Sequence, residues 1–172
     1  MKKITKSLIL AICFGVAFTC NGANAVAKKG YTFGMIKPSG MNHIKEIKSI
    51  INAHGLIVMQ QRKLVLKENR LDKLYEMHKD KPFYNDLKSS LLDKEVIAMK
   101  IYGENAVENY RDAVKEIREK YAVNKTENAV HGSDSQERAK IEINLFFPAK
   151  KMTPKRIETK MNESNTNSVE NK

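Results

Sequence analysis

The chain has 172 residues, with 31 Lys+Arg against 20 Asp+Glu, 41% apolar residues and no Trp, which fits one globular domain with extensions and excludes a disordered or fibrous class. The formal charge of +11 invites a nucleic-acid partner, but three charges lie in residues 1–27, two more are Lys28 and Lys29, and three net charges lie in 149–172, leaving +3 for residues 30–148. A folded part so weakly basic, without interleaved aromatic and basic residues, gives no reason to expect a specific nucleic-acid partner.

Residues 1–27 read as a secretory signal: Lys2, Lys3 and Lys6, an apolar run from Leu8 to Phe18, then small residues with A-x-A sites at Ala23-Asn24-Ala25 and Ala25-Val26-Ala27. Cleavage is expected after Ala25 or Ala27. The apolar run is about half of the roughly 20 residues a spanning helix needs, so no stable membrane anchor is expected after cleavage. Export to a periplasmic or extracellular space follows if the signal is removed, and a cytoplasmic location if it is not. Cys13 and Cys20 both fall inside this segment, so the mature chain would carry no thiol, disulfide or zinc–thiolate site.

The β-prone run Tyr31–Ile36 stops at the breaker-rich turn Lys37-Pro38-Ser39-Gly40. Ile44, Ile47, Ile50 and Ile51 then recur at helical spacing, predicting a helix over 43–54 that ends at Gly55, with His54 as a histidine of its last turn. A second strand is predicted over Leu56–Leu66, then a helix from Glu68 with Leu71, Leu74, Tyr75 and His78 on one side, closed by Lys81-Pro82. A short helix over Phe83–Leu91 precedes a third strand, Val96–Ile101, which ends at Gly103. Asn105 begins a helix with the stripe Ala106, Val107, Tyr110, Val114 and Ile117. A last strand over Asn128–His131 leads into a helix over Asp134–Phe147, ended by Pro148. From Ala149 onward no aromatic or apolar period remains, and a solvated, disordered tail over 149–172 is expected. The order predicts an α/β protein of the α+β sandwich kind: a ferredoxin-like βαββαβ domain over 28–148, one antiparallel four-stranded sheet covered by helices.

The segment Asn128-Ala129-Val130-His131-Gly132-Ser133-Asp134-Ser135-Gln136 is the most informative. Ser133 with Gln136 fits a capping box, so a helix is expected to begin just after a histidine that ends a strand. That puts His131 beside a helix N-terminus, where backbone N–H groups favour phosphate. A neutral imidazole there is a nucleophile or base, or else a structural histidine bonded to the turn. Glu142 falls at the edge of the stripe Ala139, Ile143, Phe146 and Phe147, so its carboxylate is angled inward and able to orient an imidazole. Arg111 lies beside Val107 and Val114 on the inward face of its helix, to meet an anion or to snorkel to the rim.

Four collinear blocks make the chain recognisable: Tyr31-Thr32-Phe33 with Ile36-Lys37-Pro38 and Gly40; His78–Phe83; Ala98-Met99 with Gly103–Val107; and Asn128–Ser135. It resembles the nucleoside diphosphate kinase family over about residues 31–148, and the N-x-x-H-G-S-D-S signature is highly specific. The resemblance implies ping-pong transfer of a γ-phosphate from a nucleoside triphosphate to a nucleoside diphosphate through a phosphohistidine, with Mg2+ held by the nucleotide phosphates and no protein metal site. By the same resemblance His131 is the nucleophile, Glu142 the carboxylate that orients it and Ser133 its hydroxyl neighbour. Lys37, Tyr75, Arg111, Arg118 and Asn128 fall on phosphate and sugar contacts, Phe83 on the aromatic that stacks on the base, and Leu87 on the lining of the same cleft.

The chain also departs from the family. Only Asp112–Glu116 separate Arg111 from Ile117, where the family carries a longer loop with a threonine phosphate contact and part of an oligomer interface. A homo-oligomer is expected, its size left open by this shortening. Lys125 replaces the aliphatic residue that packs on the base opposite Phe83, Ser39 the common aspartate of K-P-D-G, and Met77 a carboxylate near the histidine. These changes predict altered base preference or reduced activity. The second reading is an exported nucleotide-binding protein of the same fold with little or no turnover.

Overall fold

β1 (Lys29–Ile36) and β3 (Glu95–Glu104) pair antiparallel along their whole facing length, from Lys29 opposite Glu104 to Ile36 opposite Ile97. The computed structural model describes residues 28–149; the expected signal and nearly all of the expected tail lie outside the described residues. β2 (Leu56–Val65) pairs antiparallel with β3, with an irregularity at Met59, and the three-residue β4 (Val130–Gly132) pairs antiparallel with β1. The sheet order is β2-β3-β1-β4, the four-stranded antiparallel arrangement the element order predicts.

The two central strands carry apolar residues on both faces, because helices cover both faces. Successive side chains alternate across a strand. Thus Ile36, Ile97, Met99 and Ile101 pack with Ile47, Ile51, Tyr110 and Ile117 of α1 (Ile44–Ala53) and α4 (Ala106–Tyr121). Phe33, Met35, Val96 and Ala98 face the other way. They meet Leu71 of α2 (Glu68–Leu74), Leu87 and Leu91 of α3 (Tyr84–Leu91) and Phe146 of α5 (Gln136–Phe146). Each fully buried aliphatic or aromatic side chain of this kind contributes about 1.5–3 kcal/mol.

Several boundaries differ from the sequence reading. The breaker-rich turn after β1 is a 3-10 helix, Pro38–His43, so α1 starts at Ile44. The helix from Glu68 gives out at Leu74, and a 3-10 turn, Glu76–His78, follows it. β1 and β3 run longer than their apolar runs because backbone pairing continues into polar ends. β4 contains only Val130–Gly132, since Ala129 before it is left-handed, with φ of 61°. α4 is one unbroken helix of 16 residues, so the shortened segment between Arg111 and Ile117 is helical and not a loop.

No described helix is long and apolar enough to cross a membrane.

Candidate active site

Met35 of β1 stands opposite His131 of β4, so the residue that follows β1, Lys37, and the histidine arrive at the same end of the sheet. The Lys37 N–H donates to Ala129 O at 2.8 Å, and the Ala129 N–H donates to Ser39 Oγ at 3.1 Å. Ser39 thereby ties the first turn to the left-handed Ala129, a conformation that costs an alanine backbone strain. That turn aims Asn128 at Lys37, whose ammonium donates to Asn128 Oδ1 at 2.8 Å and to Thr126 O at 3.1 Å. Lys37 is buried, and desolvation, reinforced by the charge of Arg118, lowers its pKa to about 7.

β4 can lie this close to α4 because Gly132 stands opposite Gly34 and neither has a side chain. A Cβ on Gly132 would sit 2.8 Å from the Tyr110 ring, and one on Gly34 would run into its hydroxyl. Tyr110 fills the space and donates from its hydroxyl to His131 O at 3.3 Å.

The His131 Nε2 lies 3.2 Å from Glu142 Oε2. An ionised carboxylate only accepts, so Nε2 carries the proton and Nδ1 keeps its lone pair. Glu142 is buried, as its place at the edge of the α5 stripe predicted. Burial alone would raise its pKa, but the bonds from His131 and Ser133 and the charges of His131 and Arg138 outweigh that and hold it below the usual range. Tyr75 stands nearly edge-on to the imidazole at 5.4 Å between ring centroids, and Phe33 tilts against it at 5.8 Å.

Ser133 is not the helix cap its spacing to Gln136 suggests. Its hydroxyl donates to Glu142 Oε2 at 2.5 Å, a charge-assisted bond stronger than capping an N–H. α5 accordingly starts two residues later than expected, capped by Ser135, whose Oγ accepts from the Arg138 N–H at 3.2 Å. Gln136 donates from Nε2 to Tyr31 O.

Arg118 reaches in from α4 and donates to Val130 O at 3.0 Å, while its Nε is buried without a partner. The Tyr75 hydroxyl is likewise buried and unpartnered. Arg111, two helical turns before Arg118 on the same face, is exposed at the rim of the cleft and does not point inward between Val107 and Val114. Its long stem lets the guanidinium reach water, which spares it the cost of burial.

Nine of the ten residues singled out from the sequence line one cleft of about 250 Å³: Lys37, Tyr75, Phe83, Leu87, Arg111, Arg118, Asn128, His131 and Glu142. Ser133 sits behind it, against Glu142. Phe83 is 43% exposed and forms the outer wall with the buried Leu87 and with Lys125. Of the other lining residues, Thr126 and Arg138 make hydrogen bonds to site residues that the sequence did not point to. Thr126 acts through a backbone carbonyl, which no side-chain pattern reports; Arg138 was signalled only by standing one helical turn before Glu142.

Among the described residues no group of three or more His, Cys, Asp or Glu could hold a metal ion, and Glu142 is already engaged. The cleft instead presents cations, orphan donors and the His131 imidazole with its Nδ1 lone pair free, an arrangement suited to receiving a phosphoryl group.

Residues 30–152 match the family model described as nucleoside diphosphate kinase. A nucleoside diphosphate kinase of Methylobacterium nodulans is 37% identical over 131 residues, covering 69% of this chain and 94% of that protein. One from Caulobacter vibrioides is 38% identical over 128 residues, covering 67% and 92%. Among solved structures, the apo nucleoside diphosphate kinase of Encephalitozoon cuniculi superposes with a TM-score of 0.65 at 27% identity, over 69% of this chain and 89% of that one.

Proposed function

The chain belongs to the nucleoside diphosphate kinase family, and we propose that it moves the γ-phosphate of a nucleoside triphosphate to a nucleoside diphosphate in two steps, through phosphorylated His131. The observation that carries this reading is the 3.2 Å contact of His131 Nε2 with Glu142 Oε2, which leaves Nδ1 as the nucleophile.

In the first step the Nδ1 lone pair attacks the γ-phosphorus, and the bond from phosphorus to the bridging oxygen breaks as the nucleoside diphosphate leaves. In the second, a terminal oxygen of the acceptor diphosphate attacks the same phosphorus and the N–P bond breaks. The Nε2 proton stays on the imidazole throughout, held by Glu142, which balances the positive charge the ring acquires. Charge that develops on the transferring group meets Lys37, Arg111 and Arg118. The buried Tyr75 hydroxyl and Arg118 Nε supply donors that a bound nucleotide would satisfy. Phe83 and Leu87 offer the base an apolar wall. The nucleotide would enter as its magnesium complex, the ion neutralising phosphate charge together with Lys37, Arg111 and Arg118. The signal-like residues 1–27 support action outside the cytoplasm, on nucleotides present there.

The test is to incubate the full chain with γ-labelled ATP and magnesium, quench in alkali, and repeat with His131→Ala. Phosphohistidine survives base and not acid, unlike phosphoserine. Label that is alkali-stable, absent from His131→Ala and chased onto added nucleoside diphosphate supports the reading. ATP binding without label would instead identify a binding protein.

A further inference from the structure

Resting on the phosphohistidine reading above, we propose that Arg138 is a positioning residue: it clamps one oxygen of Glu142 so that the other stays aimed at His131 Nε2. Arg138 stands on α5 one turn before Glu142. One of its terminal guanidinium nitrogens donates to Leu74 O at 2.8 Å and to Glu142 Oε1 at 3.2 Å. Its side chain is only 18% exposed and lines the cleft. Leu74 is the last residue of α2 and directly precedes Tyr75, so the guanidinium joins the element that delivers Tyr75 to the helix that delivers Glu142.

The two carboxylate oxygens of Glu142 therefore have separate partners. Oε1 accepts from Arg138, while Oε2 accepts from His131 and Ser133. The last torsion of a glutamate is broad and two-fold, so a carboxylate held on one oxygen alone is free to swing. Holding Oε1 removes that freedom and fixes which imidazole nitrogen keeps the proton. Arg138 also supplies a charge beside Glu142 when phosphate anions enter. The groups that face Glu142 are His131 from β4, Ser133 from the turn after it, Tyr75 after α2, and Arg138 from its own helix.

Two readouts test this on the full chain, with Arg138→Ser, Arg138→Lys and Glu142→Gln. The first is 15N–1H NMR of the His131 ring without nucleotide, assigned by comparison with His131→Ala; it reports the tautomer and needs no turnover. The second is the rate of phosphoenzyme formation by rapid quench. Arg138→Ser is expected to convert a single Nε2–H tautomer into a mixture and to slow phosphorylation by about tenfold, with Arg138→Lys recovering most of the loss. In a Glu142→Gln background Arg138→Ser is expected to slow it no further.

An unchanged tautomer and rate in Arg138→Ser would overturn the proposal, as would a loss that adds fully to that of Glu142→Gln, which would mean that Arg138 acts on the phosphate itself. If Arg138→Ser does not fold, Arg138→Gln, which keeps a donor without the charge, is read by the same two measurements. Should the unsubstituted protein take no label, the kinase reading falls, and the NMR arm still decides whether Arg138 sets the tautomer.

Discussion

The Lys37 ammonium and the Asn128 carboxamide, 91 residues apart in the chain, meet at 2.8 Å in the floor of the cleft. The carboxamide and the Thr126 carbonyl are neutral acceptors, so no opposite charge compensates for burying the ammonium; desolvation, with the like charge of Arg118 added, lowers the lysine pKa to about 7.

Nucleotide binding should therefore be linked to proton uptake. Below pH 7 the free protein already carries Lys37 charged; above it the lysine is neutral and must gain a proton to meet a phosphate. ATP affinity is expected to fall as pH rises from 6 to 9, most steeply above 7, with a limiting slope of about tenfold per unit. Calorimetry in buffers of different ionisation enthalpy should show uptake approaching one proton at pH 8, and Lys37→Met should abolish it.

For stability the same group has the opposite sense. Its folded pKa lies below its unfolded one, so the unfolded chain binds more protons between about 7 and 10.5, and the Lys37 contribution improves as pH rises through that window.

Tyr75→Phe removes a buried hydroxyl that has no hydrogen-bond partner among the described residues. An unsatisfied buried polar group costs about 1–3 kcal/mol, so the variant is expected to melt at or above the unsubstituted protein. Nucleotide affinity should fall by about tenfold, the equivalent of one lost hydrogen bond. Thermal shift with and without ATP reads both; a lower melting point without nucleotide would show that the hydroxyl is satisfied after all.

Gly132→Ala and Gly34→Ala press a methyl against Tyr110. Overpacking of this kind costs about 1–3 kcal/mol, and the larger loss is expected at Gly34, where the side chain of Ile101 also stands in the way. Tyr110→Phe loses only the bond to His131 O and should cost about 0.5–1.5 kcal/mol. Urea unfolding of the three variants would rank them.

Phe83→Ala should raise KM for every nucleotide by about tenfold with little change in kcat, since an exposed aromatic wall binds ground and transition states alike. Lys125→Val should act differently. A lysine donor favours the two acceptors on guanine over the acceptor–donor pair on adenine, so the GDP-to-ADP ratio of kcat/KM is expected to drop in the variant. Equal effects on both bases would place Lys125 away from the base edge.

Much of the molecule is written in local pattern. The helical spacing of Ile47, Ile50 and Ile51, the stripe of α4 and the apolar runs of β1 and β3 reflect periodicities of 3.6 and 2 that any buried face must satisfy, so the element order and the antiparallel sheet follow from the chain alone. Glu142 and Arg111 were legible in the same way, because a charged residue stands out at the edge of an apolar stripe; His131 was legible from the turn and capping pattern that follow it, and Lys37 and Arg118 only through the resemblance of their sequence blocks to a known family. What the chain alone could not decide is which of several available partners each polar group takes. Ser133 has capping spacing to Gln136 but bonds Glu142; Arg111 has an inward position but reaches the rim; Arg138 looks like an ordinary surface residue of α5 and ties Glu142 to Leu74. Those choices are made between groups up to 64 residues apart in the chain, by short-range, directional bonds whose competition exists only once the sheet has brought the ends of β1, β4 and α2 together.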